Sequence, residues 1–89
     1  MGKIYILGLG PGSVDALTIG VINRIKSGDK NYLRTESHPT VKYLIDNNIN
    51  YQSYDYIYER EEDFEKVYEY IVKDLIKKSK EYKSINYLV

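Results

Sequence analysis

Near its start the chain carries the stretch Lys3-Ile4-Tyr5-Ile6-Leu7-Gly8-Leu9-Gly10-Pro11-Gly12. Its apolar, β-prone first half lacks polar alternation, which is typical of a strand buried on both faces of a parallel sheet. The glycines that follow let the backbone turn sharply and let a ligand approach it closely. Because ligands of open α/β sheets bind at the carboxyl ends of the strands, this turn predicts one wall of a small-molecule site.

The segments beyond this turn alternate between helical and extended patterns. Apolar side chains of residues 15–27 recur on one helical face, and Gly28 is suited to cap that helix. A weak strand at residues 30–33 precedes a short helix that begins after Pro39 and ends near Asn47. A short third strand is predicted to begin near Tyr51, where a tyrosine-rich stretch starts.

The last helix has the clearest pattern, with acidic residues at its start and lysines at its end. Its predicted inner face consists of Phe64, Val67, Tyr68, Ile71, Leu75, Ile76 and Tyr82. The acidic run at residues 59–65 is interpreted as the charged start of this helix and not as a metal site. A final strand follows at residues 85–89. The order βαβαβαβ predicts an α/β fold in which helices cover both faces of a mainly parallel sheet.

Length and composition narrow the choice of function. The 89 residues make one small domain, and because they end on an apolar strand pattern we expect an N-terminal part of a larger protein. Lys plus Arg and Asp plus Glu both count 13, which argues against a nucleic-acid partner. No apolar run is long enough for a membrane span. The absence of cysteine excludes disulfides and thiolate metal sites and fits a cytoplasmic protein.

Two phosphate-binding glycine motifs, the dinucleotide fingerprint and the P-loop, fit the sequence of this turn poorly. A dinucleotide fingerprint needs its third glycine at position 13, which is Ser13, although Glu36 could serve as its ribose partner. Pro11 removes an amide that a phosphate could use. A P-loop would need a Gly-Lys-Ser/Thr sequence that does not follow. A tight strand-to-helix turn with no ligand stays open as an alternative.

Beyond its spacing, the sequence resembles the tetrapyrrole (corrin/porphyrin) methylase family. The pattern Gly8-Leu9-Gly10-Pro11-Gly12, then Leu17-Thr18 and an amphipathic helix, is similar to the opening motif of that family. Three later motifs resemble the methylase-like half of bacterial proteins that are fused to a MazG-type nucleotide pyrophosphohydrolase. These motifs are Leu33-Arg34-Thr35, His38-Pro39 and Tyr54-Asp55-Tyr56-Ile57-Tyr58-Glu59.

The resemblance implies a two-domain methyltransferase that binds S-adenosylmethionine between its halves, with residues 1–89 as its N-terminal subdomain. In relatives the proline of the loop touches the cofactor, so Pro11 is carried over as a cofactor-binding residue, with Gly10 and Gly12 shaping the loop. The other cofactor contacts of the family would lie beyond Val89. This piece alone is therefore expected to bind the cofactor weakly or not at all and to be inactive.

The methyl acceptor implied by the resemblance is a small molecule such as a tetrapyrrole, with Arg34, Thr35 and His38 facing it. Several porphyrinogen methylases have an acidic residue, proposed as a base, where this chain has Arg34. A guanidinium is no general base near neutral pH, but it pairs with carboxylates or phosphates. Methyl transfer mainly needs in-line positioning, so the loss of a base weakens the case for porphyrinogen chemistry but not for catalysis.

The lone histidine and the tyrosines have plainer interpretations. His38 precedes Pro39 and suits a helix N-terminal cap, with a substrate-facing role as the alternative. Tyr54, Tyr56 and Tyr58 are interpreted as strand residues that either pack or line a pocket for a flat ring.

Two functional hypotheses remain. The first is the N-terminal half of an S-adenosylmethionine-dependent, tetrapyrrole-methylase-like methyltransferase. The second, favoured by Arg34, is a non-catalytic binding or regulatory module whose partner is a C-terminal MazG-type domain. An open sheet edge in this piece would also favour pairing into a homodimer.

Overall fold

The computed structural model describes residues 2–10, 17–27 and 30–89. In this part of the chain there are four strands and four helices. Their bounds are β1 Lys3–Leu7, α1 Ile19–Ile25, β2 Lys30–Leu33, α2 Val41–Asp46, β3 Gln52–Ser53, α3 Asp55–Arg60, α4 Phe64–Glu81 and β4 Ser84–Leu88. The first helix begins later than predicted, at Ile19, because the extended Thr18 is its N-cap and accepts a hydrogen bond from the Val21 N–H. The predicted cap at Gly28 lies outside the described residues.

The strands form one sheet in the order β1-β4-β2-β3, and every neighbouring pair is parallel. Although β4 is last in the chain, it lies between β1 and β2, where Ile85 pairs with Ile4 on one side and Lys30 on the other. The predicted α/β fold with a parallel sheet is confirmed. The order contains one helix more than predicted, because α3 precedes α4.

Each face of the sheet has its own apolar core. The core beneath α1 and α2 consists of Leu9, Leu17, Ile25, Leu33, Val41, Leu44 and Leu88. The core beneath α3 and α4 consists of Tyr32, Tyr54, Ile57, Val67, Ile71, Leu75 and Ile85. Successive strand residues point to opposite faces, so Tyr32 and Leu33 serve different cores. The result is the expected αβα layering.

Strand β1 lies at the edge of the sheet, so the prediction that it is buried on both faces is wrong. The side chains of Ile4 and Ile6 are 37% and 71% exposed. The apolar pattern of the stretch predicted a strand correctly, but a pattern does not say which strand takes the centre. In this fold β4 takes it, and Ile6 is left uncovered.

The tyrosine-rich stretch is mainly helical, so its interpretation as a strand is wrong beyond Ser53. Strand β3 has only two residues, and α3 begins at Asp55. Tyrosine favours strands, but Ile57 is fully buried when the stretch is helical, and such packing outweighs propensity. The acidic run also divides, since α3 ends at Arg60 before Asp63 caps α4 by accepting a hydrogen bond from the Glu65 N–H (2.9 Å).

Helix α4 buries a narrower face than its sequence predicts. Val67, Ile71 and Leu75 face the sheet as expected, together with Ser79. Phe64 and Tyr68, which the pattern placed on the inner face, are 66% and 49% exposed. The apolar stripe is wider than the surface that the sheet offers, so its flank remains uncovered.

A buried pair of amides joins β2 and β4 to the end of α1. Asn31 and Asn86 are paired in register, and the Asn86 amide nitrogen donates to the Asn31 Oδ1 atom (2.9 Å) and to the Arg24 carbonyl (2.8 Å). The Asn31 amide donates in turn to the Ile25 carbonyl (3.2 Å). Buried polar groups are costly unless they are bonded in this way.

Candidate functional site

The carboxyl ends of the parallel strands meet at one edge of the sheet. The backbone ladder continues just past the strands there, with the Leu9 N–H donating to the Val89 carbonyl (2.8 Å) and the Arg34 N–H to the Leu88 carbonyl (3.1 Å). The starts of the loops after β1 and β2 are thereby fixed on either side of the end of β4. This is the edge at which open α/β sheets bind ligands.

The loop after β1 is anchored at two points. Leu9 is buried in the core beneath α1 and α2. Gly10 is exposed, and its φ of 75° lies in the left-handed region that favours glycine. The Gly10 carbonyl lies 3.1 Å from the Nε2 atom of His38, which belongs to the loop after β2. The two loops are therefore joined directly.

The hydrogen bonds of His38 fix its tautomer. The Nδ1 atom accepts from the Thr40 N–H (3.1 Å), so it carries no proton. The proton is on Nε2, which donates to the Gly10 carbonyl. Both ring nitrogens of this neutral imidazole thus bind backbone groups, and His38 holds the loop after β1 against the loop after β2.

Asp55 fixes the start of the loop after β2. Its Oδ1 atom accepts from the Thr35 hydroxyl (2.6 Å) and its Oδ2 atom from the Glu36 N–H (2.9 Å), while the Ser37 N–H donates to the Thr35 oxygen (3.1 Å). Partial burial acts to raise the pKa of Asp55. Hydrogen bonds from Thr35, Glu36 and the Ser53 side chain outweigh it, so the pKa lies below its ordinary value.

Arg34 lines a pocket of about 400 Å³ beside α3 and α4. The residues around this pocket are Arg34, Thr35, Asp55, Tyr58, Phe64 and Tyr68. Burial raises the pKa of the Tyr58 hydroxyl, and the positive charge of Arg34 opposes that shift, so guanidinium and phenol are close neighbours. Within the described parts of the chain, no carboxylate oxygen is within ion-pair distance of the Arg34 guanidinium.

Three aromatic rings form the rest of the pocket wall. Phe64 and Tyr68 follow each other by one turn of α4, with centroids 6.4 Å apart and planes inclined by 20°. The rings of Tyr58 and Phe64 meet edge-on, with centroids 6.4 Å apart and planes inclined by 62°. We call the pocket formed by Arg34 and these three rings, with Thr35 and Asp55, the aromatic pocket.

The structure brings the predicted site residues together in two groups. Gly10 contacts His38, and Arg34 lies with Thr35 in the aromatic pocket. Arg34 and His38 make no hydrogen bond with each other in this part of the chain. Pro11 and Gly12 lie outside the described residues. The cofactor-binding and substrate-facing roles given to these residues stay predictions.

Of the three tyrosines considered for a flat ring, Tyr58 lines the aromatic pocket. Tyr54 is buried, and its hydroxyl donates to the Asp74 carboxylate (2.7 Å). The Tyr56 hydroxyl lies 3.3 Å from that of Tyr70. The packing interpretation describes the buried Tyr54, whereas Tyr56 is 49% exposed.

Sequence reasoning missed Asp55, Phe64 and Tyr68 as site residues. Asp55 had a local signal, since an acidic residue in the first turn of a helix is a frequent anchor for neighbouring amides. Phe64 and Tyr68 had the i, i+4 spacing of a shared face, but that spacing was attributed to the core.

A second depression, of about 440 Å³, lies at the opposite edge, where β2 begins. It is polar, with Lys26, Lys30 and Asn48 among its lining residues. It lies at the end of the sheet away from the converging carboxyl ends of the strands. It carries no functional argument.

Neither membrane spans nor metal clusters are found in residues 2–10, 17–27 and 30–89. No helix there combines the length and apolar character needed to cross a bilayer. No group of three or more His, Asp or Glu side chains there is arranged to hold a metal ion.

Comparisons with known proteins identify one family and one relative. The sequence model for Tetrapyrrole (Corrin/Porphyrin) Methylases matches residues 3–89. The "Uncharacterized protein YabN" of Bacillus subtilis (strain 168) is 43% identical over 70 residues, which are 79% of this chain. The match spans only 14% of the length of that relative. No solved structure matches the chain.

Proposed function

The chain belongs to the tetrapyrrole (corrin/porphyrin) methylase family, and on that premise we propose that it forms one wall of the cleft of an S-adenosylmethionine-dependent methyltransferase. The cleft would hold the methyl donor and a small-molecule acceptor, with a tetrapyrrole as the acceptor that the family suggests. The observation that carries this proposal is the contact between the Gly10 carbonyl and His38 at the carboxyl edge of the sheet.

This contact matters because methyl transfer depends on position. A sulfonium methyl group reacts by in-line displacement, so donor and acceptor must be held at a fixed distance and angle. His38 joins the loop after β2 to Gly10 in the loop after β1. Asp55 fixes the loop after β2 by accepting hydrogen bonds from the Thr35 hydroxyl and the Glu36 N–H. The contact of Gly10 with His38 and the anchored start of the loop after β2 support such a fixed frame at one sheet edge.

The donor side of the frame is the loop after β1. Gly10 is exposed there in a conformation that disfavours a side chain, so its backbone is open to close approach. These features fit a cofactor that packs on backbone, and Gly10, with Pro11 and Gly12, would hold it. S-adenosylmethionine, when bound, supplies the activated methyl group.

The acceptor side is the loop after β2. Arg34 is permanently charged and cannot take a proton from the acceptor near neutral pH. It can pair with an acidic group of the acceptor and orient it. Thr35 is already committed to Asp55, so its part is to keep the loop in place. In this proposal the chain contributes positioning and no general base.

A chimera tests the proposal, with this chain replacing the matched 70-residue segment of the Bacillus protein. We expect S-adenosylmethionine binding by titration calorimetry, and Gly10→Ala should weaken it about tenfold because alanine is strained at positive φ. Gly20→Ala on α1 is the matched control, since a methyl group there meets no atom closer than 4.0 Å. Absence of binding in the unmutated chimera, or equal losses for both variants, would contradict the proposal.

A second proposal is favoured by Arg34, which stands where several relatives in the family have an acid. The domain would be a non-catalytic binding or regulatory module, with a MazG-type nucleotide pyrophosphohydrolase as its C-terminal partner. If this second proposal is correct, we expect the chimera to hydrolyse nucleoside triphosphates at a rate that S-adenosylmethionine changes. We expect it not to methylate an acceptor. Methyl transfer to a tetrapyrrole acceptor by the chimera would decide for the first proposal.

A further inference from the structure

We propose that the aromatic pocket binds a flat acid with one or two fused rings, whose carboxylate or phosphate pairs with Arg34 while the ring lies against Phe64 and Tyr68. This names the class of acceptor for the cleft and therefore rests on the proposed function. The proposed acid is smaller than a whole tetrapyrrole macrocycle, and it carries a single anionic group next to its ring system.

Two aromatic rings of the pocket are exposed to solvent. Phe64 is 66% exposed and Tyr68 49%, although both stand on a well-formed helix whose neighbouring face is fully buried. Apolar rings in water are unfavourable, and rings grouped around a concave surface are typical of ligand sites. The planes of the Phe64 and Tyr68 rings are inclined by only 20°, so the two rings are nearly parallel and a flat ring can pack beside them in the same orientation.

Arg34 brings a positive charge to the pocket. It has no carboxylate within ion-pair distance in the described parts of the chain, and the phenol of Tyr58 is one of its polar neighbours. The other charged group of the pocket is Asp55, whose two oxygens are already occupied by the Thr35 hydroxyl and the Glu36 N–H. Asp55 keeps its negative charge, but both of its oxygens already accept hydrogen bonds, whereas the Arg34 guanidinium can bind a carboxylate or a phosphate through paired hydrogen bonds.

The volume of the pocket suits a small ligand. A pocket of about 400 Å³ is near the lower end of ligand pockets, which span roughly 300–1,000 Å³. A ring system of one or two rings with a short acidic group fits this space. Thr35, which lines the pocket, belongs to the same loop after β2 as His38, which contacts the Gly10 carbonyl, so the pocket and this contact share one loop at the carboxyl edge of the sheet.

Binding is tested on the 89-residue chain without any methyl donor, so this proposal can fail independently of the proposed function. The probe is 2-naphthoate, followed by ¹H–¹⁵N correlation spectra. Two comparison compounds separate the requirements: 2-naphthamide keeps the ring without the charge, and cyclohexanecarboxylate keeps the charge without the flat ring. We expect saturable shifts at Arg34, Phe64 and Tyr68 with naphthoate, and affinities about tenfold lower for both comparison compounds.

Variants locate the two contacts. Arg34→Gln and Phe64→Ala should each weaken naphthoate binding about tenfold, since one removes the charge and the other a ring wall. Arg60→Gln and Ile76→Ala are matched controls, because both side chains are exposed and neither lines the pocket. Both pocket side chains are also exposed, so circular dichroism should show an unchanged fold. No saturable shift, a shift map elsewhere, or equal binding by naphthoate and naphthamide would overturn the proposal.

Discussion

At the scale of single residues, Asp55 illustrates how one carboxylate can organise a site. Its two oxygens accept hydrogen bonds from Thr35 and from the Glu36 N–H, so it holds the loop after β2 to the start of α3. His38 belongs to the same loop after β2, so its position depends on how Asp55 anchors that loop. Through His38, Asp55 thereby affects where Gly10 is held.

The first prediction concerns this anchor. Asp55→Asn replaces one acceptor oxygen by an NH₂ group that faces a donor, so we expect unfolding free energy at neutral pH to fall by about 1–2 kcal/mol. Urea titration measures it. Asp63→Asn is the control, since asparagine caps a helix as well as aspartate does. Equal stabilities of the Asp55 variant and the unmutated chain would contradict the anchor role.

The same anchor predicts a pH dependence of stability. The pKa of Asp55 is lower in the folded chain than its ordinary value near 4, so the folded state favours the charged form. The resulting stabilisation is complete above that ordinary value and is lost as the pH falls through the lower, folded pKa. The stability difference between Asp55→Asn and the unmutated chain should therefore shrink below about pH 4.

How far the site was predictable at this scale follows from the range of each interaction. Gly10 was identifiable because a glycine-rich turn after an apolar strand is a local pattern. The bond from His38 to Gly10 spans 28 positions of sequence, and no local pattern predicts it. Arg34 was identified from its place at a strand end, but its aromatic neighbours come from α3 and α4 and depend on how those helices pack.

At the scale of elements, patterns gave the existence of each strand and the longest helix but not their exposed faces. In α4 the spacing of Phe64, Val67 and Tyr68 predicts a helix with an apolar side. Which part of that side is covered depends on the width of the sheet, and this is a property of the assembled fold. Helix α3 was missed because the preference of tyrosine for strands is weaker than the burial of Ile57.

The junction between α4 and β1 yields a prediction at this scale. The Gly2 N–H donates to the Ser79 carbonyl (2.6 Å), and a Cβ on Gly2 would overlap the carbonyl oxygens of Ser79, Tyr82 and Lys83. Backbone atoms cannot turn aside as a flexible side chain can. We therefore expect Gly2→Ala to lower the free energy of unfolding by about 1–3 kcal/mol, measured by urea titration.

Gly20→Ala serves as the matched glycine variant. Gly20 lies in α1, where an added methyl group meets open space and alanine favours the helix. We expect this variant to gain about 0.5–1 kcal/mol. Two glycine-to-alanine changes of opposite sign would show that close approach, and not glycine content, decides the first result. A neutral Gly2→Ala would refute the tight junction.

At the scale of the whole molecule, the order of strands was the least predictable feature. Each strand was recognisable alone, but the pairing of β4 between β1 and β2 joins segments more than 50 positions apart in sequence. The prediction of a doubly buried β1 failed for this reason. The edge position leaves one side of β1 without a partner strand in the described part of the chain, next to the exposed Ile6.

An unpaired edge with exposed isoleucines predicts self-association of this chain. Two copies related by a twofold axis can pair their β1 strands antiparallel and bury Ile6 between them. Ile6→Lys should raise the dimer dissociation constant about tenfold or more, because an edge lysine must lose its hydration to pair. Ile45→Lys is the control, since Ile45 is 59% exposed on α2, away from β1. Sedimentation velocity over a range of concentrations measures both. A chain that stays monomeric throughout, or an Ile6→Lys variant that dimerises like the unmutated chain, would show that β1 is not the contact.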